Sequence, residues 1–482
     1  MARRAAGRFV AWFRPDRGTG GGGLQAQLYG AIRQAVLAGE LAPGERLPSS
    51  RSLAADLGLG RNTVVTACDR LVAEGYLEAR PGAGLFVAAD LPPEGIPGTM
   101  PPRPAGASRR PATPPVKREQ AVAPLPLTPG MPALDEVPLE LWRRLTGQVL
   151  RRQGRGLLGS GDPAGLPALR AALAGYLAAT RGVACEPGRI VIVSGAQQAL
   201  DLAGRLLLRP GDAVALEDPG YPGAHAVFGG LGARLLPLPV DGQGLDPAAL
   251  ASLDPAPRLT LLTPSHQFPL GMTLPLARRL ALLQLAATRD IYLIEDDYDC
   301  EYRYAGPPLQ ALQGLGAGDR VIYAGTFSKV LFPGLRLGYV VLPPDLVGGF
   351  LALKRAADGF APQMSQAVLA AFITEGHLAQ HVRRMRMLYR RRRAALLDAL
   401  GREDGGLLRL RPSEAGLHVV ADFADRRDDR AAAAAAQAAG LGVMPLSRYA
   451  LATPSSGLLV GFAGDPEERI AGAVQRLLAV LR

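Results

Sequence analysis

From Leu24 to Leu37, the residues Leu24, Leu28, Ile32, Ala35 and Val36 recur at helical spacing, so an amphipathic helix is expected there. A turn follows at Leu41-Ala42-Pro43-Gly44. Ser49 and Ser50 can cap a second helix through Leu57, Gly58-Leu59-Gly60 makes a turn, and a third helix is expected from Arg61 or Asn62 to about Ala73. Tyr76–Arg80 and Leu85–Val87 then read as a hairpin joined through Pro81-Gly82-Ala83-Gly84. Between Asp90 and about Pro126 both periods vanish. Prolines crowd that stretch and large apolar residues are few, so it reads as a semi-extended linker. From about Leu127 to Arg482 short β-rich runs (Ile190–Val193, Ala213–Leu216, Leu259–Leu262, Ile291–Ile294, Val321–Tyr323, Leu337–Val341) alternate with Ala- and Leu-rich helical stretches, one of them Ala431 to Ala439. Such alternation predicts an α/β domain with a largely parallel sheet. The expected organisation is therefore a small domain at 24–89, a linker at 90–126 and a large domain at 127–482.

Composition refines this only in places. The apolar fraction of 48% lets each domain build a core. The formal net charge is +11, and residues 1–120 hold 16 basic against 10 acidic residues. That excess fits nucleic acid, and equally an ordinary basic protein. Cys68, Cys185 and Cys300 make neither a disulfide framework nor a zinc pattern, which points to a reducing cytoplasm. Met1 to Phe13 holds only a short apolar run, broken by Arg14 and Pro15, and no later run is long and charge-free enough to span a membrane. A soluble protein with no membrane partner is expected. His377 and His381 stand four apart, but Arg383, Arg384 and Arg386 beside them suggest a basic face rather than a metal site.

Helix, short glycine-containing turn and helix is the helix-turn-helix spacing. The residues at the start of the second of these helices reach base edges, and here they are Arg61, Asn62 and Thr63. A small structural helical domain would share the spacing. The arginine placement and the glycine-rich hairpin favour DNA. Leu41-x-Pro43-Gly44-Glu45-Arg46-Leu47-Pro48-Ser49-Ser50-Arg51-x-Leu53-Ala54 and Arg61-Asn62-Thr63-Val64 resemble the winged helix-turn-helix of GntR-type repressors over nearly all of 24–89. The resemblance implies a double-stranded DNA operator contacted by Arg51, Arg61, Asn62 and Thr63, with Arg80 and Gly82 in the wing. Phosphate arginines mostly add affinity, and Arg61 and Asn62 are placed to carry sequence choice.

Lysine occurs only at 117, 329 and 354, while the other basic residues are arginine. Arginine stays protonated, whereas lysine can lose its proton and form Schiff bases. Lys329 lies in Thr326-Phe327-Ser328-Lys329, with Arg336 seven residues on, and phosphate donors beside such a lysine suggest pyridoxal phosphate. That cofactor needs a carboxylate at its ring nitrogen. The run Ile291–Ile294 ends in Glu295-Asp296-Asp297-Tyr298-Asp299, at the carboxyl end of a strand, where α/β sites lie. By itself this run also fits a solvated loop or a divalent-metal site. Ser194-Gly195-Ala196-Gln197 opens a helix whose amides can cradle phosphate. Asp218-Pro219-Gly220-Tyr221 offers a ring to stack on the pyridine, or a core tyrosine.

In this order the pieces resemble fold-type I aminotransferases across nearly all of 128–482. The resemblance implies that Lys329 carries the cofactor as an aldimine, Asp296 holds the pyridinium, Tyr298 bonds the ring oxygen and Tyr221 stacks. It implies a phosphate site at Gly195, Ala196, Thr326, Ser328 and Arg336. A GntR-type head, a proline-rich linker and this body together resemble the MocR family, which includes GabR-like and PdxR-like regulators, as does Thr263-Pro264-Ser265-His266-Gln267-Phe268-Pro269-Leu270-Gly271. Two departures bear on turnover. Phe268 stands where such aminotransferases have an asparagine, and Leu459 stands at the arginine that clamps a substrate carboxylate. Arg448 is the weaker candidate for that carboxylate. The expectation is a cytoplasmic homodimeric transcription regulator that senses pyridoxal phosphate or an amino compound at Lys329, without physiological turnover beyond residual aminotransferase-type chemistry. An active aminotransferase with an attached DNA-binding domain is the alternative.

Overall fold

A computed structural model describes residues 13, 16, 23–90 and 124–482, apart from 184, 307, 317, 404, 426, 453 and 454. The proline-rich stretch of the expected linker lies almost wholly outside the described residues. The chain divides into two compact units, one on each side of residue 118.

In the first unit α1 (Leu24–Leu37), α2 (Ser50–Leu57) and α3 (Arg61–Ala73) precede a hairpin of β1 (Leu77–Arg80) and β2 (Gly84–Val87). Ser49 caps α2, its hydroxyl accepting from the Ser52 amide, and Gly58 ends α2 in the left-handed conformation. The buried faces of the three helices meet: Leu28 and Ile32, Leu53 and Leu57, then Val64, Ala67 and Leu71 form one apolar core. The hairpin has a partner that periodicity did not reveal. The Val87 amide donates to Glu45 O and the Leu47 amide to Leu85 O, so residues 44–47 add a third, short edge to the wing.

The second unit is built on an eight-stranded sheet in the order β3-β10-β9-β8-β7-β4-β5-β6. Its strands are β3 (Ile190–Val193), β4 (Ala213–Asp218), β5 (Arg234–Asp241), β6 (Gly244–Leu245), β7 (Leu259–Leu262), β8 (Tyr292–Asp297), β9 (Val321–Thr326) and β10 (Gly338–Val341). From β9 to β5 the pairing is parallel. Strand β10 runs antiparallel to both of its neighbours, and β6 is antiparallel to β5. Apolar clusters cover both faces of the sheet, which is why these strands read as unbroken apolar runs rather than alternating ones. A second sheet, all antiparallel and in the order β11-β12-β14-β13, follows: β11 (Leu408–Leu410), β12 (His418–Phe423), β13 (Met444–Pro445) and β14 (Gly457–Gly461). It packs on the long helix His377–Glu403 and the last helix, Glu467–Leu481.

The sheet extends further than the apolar runs predict. Strand β8 continues through Glu295 and Asp296 to Asp297, so these carboxylates belong to the strand and not to the loop after it. Their burial is compensated piecewise. Asp297 pairs with Arg181 at 2.6 Å, and Glu295 accepts the backbone amides of Leu312 and Gln313. His381 is likewise inside: its Nε2 lies 3.0 Å from Val330 O, against the expectation of a basic face. No helix among the described residues is long and apolar enough to cross a membrane.

Candidate functional site

At the carboxyl ends of β8 and β9 lies a cavity of about 330 Å³. All nine residues expected to hold a cofactor line it: Lys329, Asp296, Tyr298, Tyr221, Gly195, Ala196, Thr326, Ser328 and Arg336. Lys329 follows β9 directly. Its Nζ donates to Gly130 O at 2.7 Å, and burial lowers its pKa, with Asp299 and Asp296 opposing. Gly130 comes from the first stretch of the large unit, which threads against the second sheet. The fit is close there: a Cβ on Gly461 would stand 2.0 Å from Thr128 O, so only glycine allows the passage.

One end of the cavity forms a cup of groups able to donate to an anion. Gly195, at φ 122°, precedes the helix Ala196–Leu207 and turns the first amides of that helix outward. Thr326 Oγ1 accepts the Ser328 amide at 3.2 Å and donates to Ser328 Oγ at 3.1 Å. Arg336 is exposed and adopts the left-handed backbone conformation, φ 51°. A non-glycine residue there stores strain of about 1–3 kcal/mol, a cost that often marks functional positions. Behind the cup, the Ser194 amide donates to Gln198 Oε1, Gln198 Nε2 to Asp358, and the fully buried Lys354 Nζ to Asp358 at 2.7 Å. The chain's third lysine therefore braces the cup from inside.

The other end is acidic. No hydrogen bond to the Asp296 carboxylate is found among the described residues, and burial, with Asp297, Asp299 and Glu217 adding to it, pushes its pKa up to about 7. A protonated ring nitrogen opposite would supply what it lacks. Glu217, two strands over on β4, is also pushed up to about 7 by burial and accepts from Thr263 N and Oγ1.

Tyr298 is held from behind by His266 and Asp299, which lie in sequence motifs that give them no role of their own. Its hydroxyl lies 2.8 Å from His266 Nδ1, which is also 3.1 Å from both Asp299 oxygens. A single Nδ1–H shared between Asp299 and the phenol oxygen leaves the phenolic hydrogen free to turn to the cavity. Tyr221 accepts from Gln197 Nε2 at 3.0 Å. Phe268 lies edge-on to Tyr221, Tyr298, His418 and Tyr449, with ring centroids 5.3–6.0 Å away. Leu459 is fully buried in the apolar cluster that Tyr449 and Phe268 close. Arg448 is exposed, its guanidinium 3.7 Å from Met444 Sδ, and it does not line the cavity, whereas its neighbour Tyr449 does.

In the first unit Arg61 and Asn62 are exposed at the start of α3, with Thr63 half-buried beside them. Arg51 is exposed in the first turn of α2, and neither Arg51 nor Arg61 forms an ion pair with another described residue. Arg80, on β1, stacks over the Phe86 ring at 4.5 Å, and Gly82 occupies the tip at φ 74°. Arg46 is exposed on the third edge of the wing, its guanidinium close to Gly84. Its place beside the wing tip adds it to the exposed basic residues of this face.

Residues 127–477 match the family of aminotransferases of class I and II, and residues 24–87 match the gntR family of bacterial regulatory proteins. The probable rhizopine catabolism regulatory protein MocR of Rhizobium meliloti is 41% identical over 92% of this chain and 91% of its own length. The pyridoxine biosynthesis transcriptional regulator PdxR of Corynebacterium glutamicum is 36% identical over 93% of each chain. Among solved structures, the α-aminoadipate aminotransferase LysN of Thermus thermophilus, complexed with N-(5'-phosphopyridoxyl)-L-leucine, superposes with a TM-score of 0.69 at 31% identity. That likeness covers 74% of this chain and 92% of LysN.

Proposed function

This chain belongs to the MocR-type family of transcription regulators, a gntR-type DNA-binding head joined to an aminotransferase-like body, and from that premise we propose that it senses a ligand in the Lys329 cavity with pyridoxal 5'-phosphate as cofactor. The observation that carries the reading is one cavity lined together by a buried carboxylate with no hydrogen bond among the described residues, by hydroxyls, a helix start and Arg336 that could take an anion, and by the half-buried Lys329 amine. When bound, the cofactor supplies an electrophilic carbon that condenses reversibly with primary amines. Asp296 would hold the ring nitrogen. Gly195, Ala196, Thr326, Ser328 and Arg336 would hold the phosphate. Tyr221 would lie against the ring, and Tyr298 would donate to the ring oxygen. Burial lowers the Lys329 pKa and so favours the neutral, nucleophilic amine.

The effector is either the cofactor itself or an amino compound that joins at Lys329. Two heads of a cytoplasmic homodimer would meet two operator half-sites through Arg51, Arg61, Asn62, Thr63, Arg80 and Gly82. The effector acts by binding one arrangement of the heads more tightly than another. Steady turnover is disfavoured because Leu459, in its apolar cluster, cannot position a substrate carboxylate.

The test is operator binding by fluorescence anisotropy, with and without pyridoxal phosphate and amino compounds. The wild type should change its affinity on addition, and Lys329→Ala should not. An unchanged response in that variant refutes sensing through Lys329.

A further inference from the structure

The cations that line the cavity, among the described residues, are Lys329 and Arg336, and its acids are Asp296 and Asp299. In the reading above, on which this step rests, Lys329 serves the cofactor's reactive carbon, Arg336 its phosphate and Asp296 its ring nitrogen. What remains for a ligand is a wall of rings. Phe268 stands at its centre, edge-on to Tyr298 at 5.5 Å and to Tyr449 at 5.3 Å. His418 adds no charge to the wall: its Nε2 lies 2.9 Å from Pro269 O, and burial lowers its pKa to about 4. Leu459 and its apolar neighbours close the floor beneath Phe268 and Tyr449. The charge left on the lining among the described residues is negative, the Asp299 carboxylate 3.1 Å from His266 Nδ1.

A carboxylate entering this space would lose its water, find no further cation among the described residues of the chain and meet Asp299 on the lining. Burying an unpaired charge is among the costliest steps in recognition, and like charges are rejected more strongly still. An uncharged body suffers neither penalty and gains contact with the rings. We propose that the effector is a primary amine with no carboxylate beside the amine, its uncharged body packed against Phe268 and Tyr449.

Matched pairs that differ only in the carboxylate test this: 2-phenylethylamine with L-phenylalanine, 2-methylpropylamine with L-valine, and ethanolamine with L-serine. Each is titrated into the full-length protein loaded with pyridoxal phosphate. The change in cofactor absorption and the thermal midpoint are both read. Each apparent constant is divided by that of the same compound with free pyridoxal phosphate in the same buffer, which cancels differences in amine basicity. The amine should be favoured at least tenfold in each pair. Amino acids that match or exceed their amines overturn the proposal, and so do amines that move neither readout. A protein showing no cofactor band before any amine is added would instead remove the cofactor reading, and this proposal with it.

Discussion

Replacing Arg181 by methionine tests whether charge pairing holds the acidic end of β8 in place beneath the site. The guanidinium donates to Asp297 Oδ2 from Nε at 2.8 Å and from a terminal nitrogen at 2.6 Å, with side chains only 4% and 2% exposed. It also donates to Ser265 Oγ at 2.7 Å and to Leu309 O. Tyr323 gives Asp297 one more bond, at 2.5 Å, but brings no charge. Removing one partner of such a pair leaves a buried carboxylate uncompensated, at a cost of about 3–5 kcal/mol. Methionine fills much of the arginine stem's volume, so a cavity adds little. The assay is urea unfolding followed by the fluorescence of Trp142, which packs between Phe332 and Phe372 in the large unit. The paired variant Arg181→Met with Asp297→Leu should recover most of the loss, because an apolar pair of similar volume is often nearly neutral. A single substitution costing under about 1 kcal/mol refutes the reasoning. So does a paired variant as unstable as the sum of its parts.

Further expectations concern the two sites. Arg51→Ala should weaken operator binding about uniformly across sequences and lower the salt slope by about 1, while Asn62→Ala should relax discrimination at one position; filter or anisotropy titrations at several salt concentrations read both. Gly195→Ala meets no neighbouring atom but forces φ 122° on a residue with a Cβ. The strain of about 1–3 kcal/mol should appear as weaker pyridoxal phosphate binding in an absorbance titration. Asp296 has a folded pKa of about 7 against 3.8 unpaired, so its contribution to stability is full below about pH 4 and is lost as pH rises through 7. Thermal midpoints of the cofactor-free wild type should therefore fall relative to those of Asp296→Asn between about pH 4 and 7, and added pyridoxal phosphate should offset the fall.

How far the sequence carried depends on the range of the interaction. The head was legible because each of its signals is local: the Ser49 cap, the Gly58 turn and the apolar stripe of Leu28 and Ile32 lie within a few residues of what they specify. The largely parallel sheet was legible because strands buried on both faces must be apolar throughout. The same rule set the end of β8 too early, since the buried carboxylates of Glu295 and Asp297 depend on Arg181 and on distant backbone amides that no local window contains. The second sheet escaped notice because strands as short as Met444–Pro445 give no period to read. At the site, the residues that would touch the cofactor sit in compact motifs. Those that hold them in place do not: Gly130 lies 199 positions from Lys329, and Asp358 lies 160 from Gln198. Such partners are fixed by packing alone.

Whether Lys329 carries a sensing cofactor can be read from one spectrum. The most direct measurement is the visible absorption spectrum of the purified full-length protein, before and after borohydride, followed by peptide mapping. A yellow band that reduction abolishes is expected, with the reduced cofactor on Lys329. A protein that stays colourless with added pyridoxal phosphate, or a label on another residue, would contradict it.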